Sequence, residues 1–282
     1  MTEPVPISSP NDAVVVTNNP SVTGDLRLHQ FESRILRNRR GLRVWLPPEY
    51  DADRNRNRYY PVFYLNDGQN LFDAATAFGG VEWQVDETAD RMIRQEEVSP
   101  LIVVGIDNAQ QNRMREYVPH RAVNPPLLRP LGKRYPDFLI NEVMPFLFQR
   151  YRIARGQENT GLGGSSLGAI ISLYTVLDRP GIFGRLLLES PSLFISNRRL
   201  LRYSRLFRQW PEKIFLAMGT REDGRPDRDR KVVEDVLELQ RILQRSGLNE
   251  NRLRVRIVEG ATHSEAEWAK RFPEALAFLF GK

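Results

Sequence analysis

The sequence Gly164-Ser165-Ser166-Leu167-Gly168 fits the pattern G-x-S-x-G with Ser166 at its centre. A frame shifted by one would put Leu167 where the second glycine belongs, so the pattern selects Ser166 over Ser165. The spacing has a steric cause: a nucleophile on a sharp strand-to-helix turn needs very small neighbours two residues either side. Two other readings of the segment fail. A dinucleotide fingerprint counted from Gly161 needs glycine where Ser166 stands, and a phosphate loop counted from Gly163 reaches Gly168 but continues Ala-Ile instead of Lys-Ser/Thr.

A serine hydroxyl is a weak nucleophile at neutral pH and needs an adjacent base, normally histidine. There are three candidates. His29 falls within an expected edge hairpin and His120 in an irregular middle segment, whereas His263 follows the last expected strand and precedes the last helix. His263 is therefore the expected base. The third member should be a carboxylate after an intervening strand, in the order Ser, acid, His. The loop Gly219-Thr220-Arg221-Glu222-Asp223-Gly224-Arg225-Pro226-Asp227 offers several acids. Glu222 and Asp223 lie nearest the strand end, with Glu222 preferred, Asp223 the alternative, and Asp227 and Asp229 more distant.

Acyl transfer also requires stabilisation of an oxyanion by backbone N–H groups. Leu167, directly after the serine, supplies one donor. The other is expected at Gln69, in the turn Asn66-Asp67-Gly68-Gln69-Asn70 after an apolar strand, where Gly68 allows close approach of the backbone.

The elements that would position these residues alternate. Expected strands are Tyr60 to Leu65, Leu101 to Ile106, Arg185 to Leu188, Ile214 to Met218 and Leu253 to Val258, all rich in Val, Ile or Leu. Helical spacing runs over Trp83 to Glu97, Pro136 to Tyr151, Leu167 to Leu177, Arg230 to Ser246 and Ser264 to Phe280. Such alternation, with strands lacking polar positions, predicts a mostly parallel α/β sheet covered by helices on both faces. Leu26 to Leu36 and Gly41 to Leu46 have no helix between them, which predicts an antiparallel N-terminal edge hairpin. Residues 1 to 24 read as a mobile arm, residues 25 to 282 as a single catalytic domain, and Asn108 to Lys133 as a long irregular stretch.

The 282 residues hold no cysteine, which excludes disulfides, a thiol nucleophile, zinc-thiolate sites and iron-sulfur clusters. Three scattered histidines without HExxH spacing give no persuasive ligand set, so neither a catalytic metal nor a cofactor is expected. The net charge is +6. Arg54 to Arg58 and Arg198 to Arg208 are dense basic runs that read as solvated surface, and nucleic-acid binding is not expected. No secretory leader or membrane span is visible, so a cytoplasmic protein acting on a small-molecule ester, without a membrane partner, is the expectation.

Five stretches together resemble the putative-esterase group of α/β hydrolases, which includes enterochelin (siderophore) esterases, feruloyl esterases, S-formylglutathione hydrolases and mycolyltransferases. They are PVFYLNDGQNLFD, VVGIDN followed by RMREY, GGSSLGA, the GTRED loop, and GATHSEAEWAKRFPEALAFLF, in the family's order from about Gly41 to Phe280. The resemblance implies an α/β-hydrolase fold with Ser166 as nucleophile, His263 as base and the acid in the loop containing Glu222. It also implies pocket walls from the Gln69 loop, Trp83 and the segment around Arg113 to Tyr117. Expected activity is hydrolysis of an aryl, short-acyl or siderophore-type ester through an acyl-enzyme. An acyltransferase of the same fold and a non-catalytic polyanion-binding relative are the alternatives. Apolar residues such as Phe72, Phe78, Leu193 and Phe194, with Arg113 and Arg115, are the expected substrate contacts, the arginines meeting phenolate, catecholate or carboxylate groups.

Overall fold

A computed structural model of the protein describes residues 13–16, 19–122 and 129–282. Nine strands form one sheet: β1 (Val14–Val15), β2 (Asp25–Ser33), β3 (Asn38–Leu46), β4 (Val62–Asn66), β5 (Ile102–Ile106), β6 (Thr160–Ser165), β7 (Arg185–Glu189), β8 (Lys213–Arg221) and β9 (Leu253–Thr262). Their order across the sheet is β1-β2-β3-β5-β4-β6-β7-β8-β9. β1, β2 and β3 pair antiparallel, as do β3 and β5, and every pairing from β5 to β9 is parallel. The expected parallel sheet with an antiparallel N-terminal hairpin is what the chain forms. The hairpin turn lies at residues 34–37, so the first strand ends at Ser33 and the second begins at Asn38, ahead of the expected Gly41, because Arg37 takes the left-handed conformation and Asn38 already pairs with Ser33.

Continuous apolar strands arise because both faces are covered. Val62 and Tyr64 enter the larger core with Leu186 and Leu188, while Phe63 and Leu65 enter a second core with Leu187. The period-2 alternation is thus between two dry environments, which leaves no polar position to mark it. The larger core is shared with helices α3 (Tyr135–Phe138), α4 (Met144–Phe148), α5 (Leu167–Asp178), α6 (Ile195–Ser204) and α7 (Pro226–Arg245). The second is closed by α1 (Val85–Arg94) and α8 (Glu265–Phe280). A π-helical turn, Leu139–Val143, joins α3 to α4, so the expected helix from Pro136 to Tyr151 has an irregular middle.

Two expectations change. Of the expected mobile arm, residues 1–12 and 17–18 lie outside the described residues, but residues 13–16 and 19–24 are fastened to the domain. Val14 and Val15 pair with β2, Asn19 donates to Asp73 at 2.9 Å, and the N–H of Thr23 donates to Asp86 at 2.6 Å. The expected irregular stretch Asn108 to Lys133 contains a short helix, α2 (Arg113–Tyr117), and residues 123–128 within it are outside the described set. The arginines of the basic run from Arg198 are solvent-exposed as expected, and part of their charge is met by α7: Arg198 pairs with Asp235 at 2.7 Å, and both Arg198 and Arg205 pair with Glu238. Among the described residues no helix is long and apolar enough to cross a membrane.

Candidate active site

The C-terminal ends of β4, β6, β7, β8 and β9 lie side by side, and each delivers one part of the site. Ser166 occupies the single residue between β6 and α5, at φ 55° and ψ −119°. A non-glycine residue at such angles costs about 1–3 kcal/mol and persists only where its surroundings enforce it. The enforcement is visible. The N–H of Ser166 donates to the carbonyl of Glu189 at 2.9 Å, pinning the turn to the end of β7. Gly164 and Gly168 face each other so closely that a Cβ on Gly164 would lie 3.0 Å from the Gly168 carbonyl carbon.

The end of β4 flanks this turn. The amide of Asn66 donates to the carbonyls of Gly163 and Gly168, each at 3.2 Å, and to the Ser172 hydroxyl at 2.8 Å. Its carbonyl accepts the hydroxyl of Tyr135. Asp67 then turns left-handed into a 3-10 helix, Gly68–Asn70. A Cβ at Gly68 would meet Gly105 backbone at 2.5 Å, so only glycine lets this turn lie against β5. Leu167 and Gln69 each stand in the first turn of a helix, where backbone N–H groups lack partners within the helix.

His263 directly follows β9, and its Nδ1 is hydrogen-bonded to Oε2 of Glu222, which directly follows β8. The other carboxylate oxygen accepts the Ser190 hydroxyl at 2.8 Å and the N–H of Gly219 at 2.7 Å. Burial alone would push the Glu222 carboxyl up. The hydrogen bond and charge of His263, with the Ser190 and Gly219 donors, outweigh it and hold the group below the usual carboxylate range. Ser190 in turn accepts the indole N–H of Trp268 at 3.0 Å, and Trp268 stands edge-on to the His263 ring at 5.0 Å. With Nδ1 engaged by Glu222, the His263 ring has Nε2 left to exchange a proton. Asp223 points elsewhere: its carboxylate is 43% exposed and meets Arg228 at 3.3 Å, while its N–H donates to Asp229.

Ser166, Glu222 and His263 border one cleft of about 590 Å³, together with Ser190, Pro191, Ser192, Phe194, Met218, Asp223, Arg228, Lys231 and Val232. Ser192 lies 3.3 Å from the Ser166 hydroxyl. The expected substrate-contact residues take other positions. Trp83 is 2% exposed in the second core, packed against Trp268 at 5.6 Å, one layer behind the cleft. Tyr117 is fully buried, its hydroxyl accepting the N–H of Asp67 at 3.3 Å. Arg113 is committed to Asp67 by two bonds of 2.7 and 2.8 Å, and Arg115 donates to the carbonyl of Arg129. The cations on the cleft are instead Arg228 and Lys231, from the first turns of α7. Phe194 lies on the cleft as expected, whereas Phe72 and Leu193 are buried in or beside the cores.

Sequence reasoning missed Ser190, Trp268, Arg228 and Lys231. Ser190 had a positional signal, since it follows β7 at the same end of the sheet as the serine. Also unread was a buried ion pair: Arg271 of α8 donates twice to one side-chain oxygen of Glu189, at 3.0 and 2.9 Å, the same residue whose carbonyl holds Ser166.

Residues 33–279 match the family described as "Putative esterase". The chain is 26% identical over 251 residues to the uncharacterized protein YbbA of Bacillus subtilis (strain 168), covering 85% of this chain and 92% of that one. It is 23% identical over 209 residues to the ferri-bacillibactin esterase BesA of the same organism, covering 67% and 69%. Among solved structures it superposes on the enterobactin esterase FES from Shigella flexneri, with a TM-score of 0.72 at 18% identity. That alignment covers 92% of this chain and 60% of the Shigella protein, and at such identity the likeness speaks for a shared fold.

Proposed function

This chain belongs to the "Putative esterase" family and is an ester hydrolase of the α/β-hydrolase fold, and from that premise we propose that it works through an acyl-enzyme on Ser166. The observation that carries the proposal is the continuous hydrogen-bonded path from Trp268 through Ser190 and Glu222 to His263, which opens on the same cleft as Ser166.

In this mechanism the Ser166 hydroxyl attacks the ester carbonyl while His263 Nε2 takes its proton. Negative charge moves to the carbonyl oxygen, where the N–H groups of Leu167 and Gln69 receive it. Collapse breaks the bond to the alcohol oxygen, which leaves with the proton returned by His263. Water then attacks the acyl-enzyme, again giving its proton to His263, and releases the acid with Ser166 restored. Glu222 stays ionised throughout, stabilising the imidazolium and fixing which nitrogen faces the serine.

The substrate we propose is an ester that bears an aromatic ring and negative charge, such as a catecholate siderophore lactone. Pro191, Phe194, Met218 and Val232 offer an apolar wall to a ring, and Arg228 and Lys231 offer cations to a phenolate or carboxylate. The ferri-bacillibactin esterase and the enterobactin esterase among its relatives agree with that chemistry.

The test is fluorophosphonate labelling beside turnover of short p-nitrophenyl esters and a catecholate lactone. Labelling at Ser166, lost in a folded Ser166→Ala protein together with at least about 10^4-fold of kcat, is the expected result. Turnover near wild type in that variant would overturn the assignment.

A further inference from the structure

Away from the cleft, Glu82 and the first turn of α1 bring three carboxylates together. One oxygen each from Glu82, Asp86 and Glu87 can be chosen so that all lie within 4.8 Å of one another. Asp86 is fully buried and Glu82 is 8% exposed. Each of these two spends one oxygen on the N-terminal segment: Glu82 Oε1 accepts the Ser21 hydroxyl at 2.8 Å, and Asp86 Oδ2 accepts the Thr23 N–H at 2.6 Å. The remaining oxygens, Glu82 Oε2 and Asp86 Oδ1, are buried without a hydrogen-bond partner, and so is Glu87 Oε2.

Buried carboxylate oxygens without partners are expensive, and three converging ones repel each other as well. The helix N-terminus of α1 offsets only part of that cost. Among the described residues no Arg, Lys or His forms an ion pair with any of the three. Their surroundings add charge of the same sign: after burial, the influences that raise Glu82 include Asp73, from outside the cluster.

We propose that Glu82, Asp86 and Glu87 form a structural site for a divalent cation of the calcium class, which clasps the segment around Ser21 and Thr23 onto α1. Oxygens bound to one Ca²⁺ at about 2.3–2.6 Å can be no more than about 5 Å apart, as these are. Calcium suits the site better than magnesium. It accepts several protein carboxylates in irregular geometry, whereas magnesium keeps most of its own water. The competing way to neutralise the cluster is a proton, since burial, with the neighbouring acids, pushes both Asp86 and Glu82 up. A cation would displace that proton, so its affinity rises with pH. The site has no part in the proposed chemistry, because none of the three residues borders the Ser166 cleft.

Chelator-treated full-length protein distinguishes the two. Terbium binding is read by luminescence sensitised by Trp83, the residue next to Glu82, and calcium binding by thermal unfolding. We expect calcium at about 100 times its Kd to raise Tm by about 5 °C, and calcium to compete terbium away. Asp86→Asn should abolish both responses, and Glu87→Gln, at the less buried position, should weaken binding at least about tenfold. If Asp86→Asn does not fold, the Glu87→Gln isotherm decides. Absence of any calcium response at pH 8 would overturn the proposal in favour of the proton, as would luminescence unchanged in Glu87→Gln. No readout here uses ester turnover, so failure at this site leaves the proposed hydrolysis untouched.

Discussion

Ser190 donates its hydroxyl to Glu222 at 2.8 Å, so the acid that meets His263 is itself held by a serine on the neighbouring strand end. Glu222 is thereby fixed from three sides, while Asp223, its neighbour in sequence, faces solvent and Arg228. Exchanging charge for an isosteric amide should separate the two. Glu222→Gln should lose about 10^3- to 10^4-fold in kcat, because the imidazolium loses its counter-charge, and Asp223→Asn should stay within about threefold. Steady-state kinetics on both proteins decides, and the reverse ranking would refute the geometry as a guide to the acid.

In the proposed mechanism Ser190 and Trp268 act through Glu222 and not on substrate. Ser190→Ala removes a donor to a charged group, a change worth about 1.5–3 kcal/mol, so kcat should fall roughly ten- to hundredfold with KM little changed. Trp268→Phe keeps the packing against His263 but loses the indole N–H, and a loss of only about two- to fivefold is expected. A rise in KM with constant kcat in either variant would mean that these residues contact the substrate.

The cleft cations and the buried Arg113 should behave differently. Arg228→Gln and Lys231→Gln should shrink the preference for an anionic over a matched neutral aryl ester, and added salt should do the same to the wild-type enzyme. Arg113→Gln should instead strand the buried Asp67 carboxylate, costing about 3 kcal/mol and lowering Tm by about 6 °C. An anionic preference lost in Arg113→Gln but kept in the other two would return substrate recognition to α2.

His120 predicts an acid limb in stability. Burial, with Arg199 and Lys133 nearby, lowers its pKa to about 4, and the ring lies between Tyr174 and Tyr203 with Nε2 unpartnered. The unfolded chain binds this proton first, so the stabilisation is full above about pH 6.5 and is lost progressively towards pH 4. His120→Phe keeps an aromatic ring there without the titration. Its stability relative to wild type should therefore improve by about 2 kcal/mol over that range in urea unfolding, and parallel curves would remove His120 as the cause.

What could be read in the sequence divides along a physical line. Ser166 was legible because the strand-to-helix turn makes a local steric demand, met by Gly164 and Gly168. The central strands β4, β5 and β7 were legible because two-sided burial writes itself as runs of apolar residues. The roles of Trp83, Tyr117 and Arg113 were not, since a loop residue faces inward or outward according to distant partners: Trp268 for the first, Asp67 for the other two. Arg228 was hidden for a simpler reason. The expected helix began at Arg230, but Pro226 starts α7 a full turn earlier and turns a supposed loop into a cleft wall. Glu82, Asp86 and Glu87 escaped because an acidic helix start is the ordinary sign of a favourable dipole.

That wall has an evolutionary reading. The groups proposed to break bonds come from four separate strand ends locked into the sheet, but Asp223, Arg228, Lys231 and Val232 come from ten consecutive residues. A lineage could exchange or lengthen that one stretch without disturbing the turn at Ser166 or the path to His263. Descendants would then diverge in diet while sharing a single chemistry, and sequence identity across the whole chain would be a poor guide to which ester each consumes.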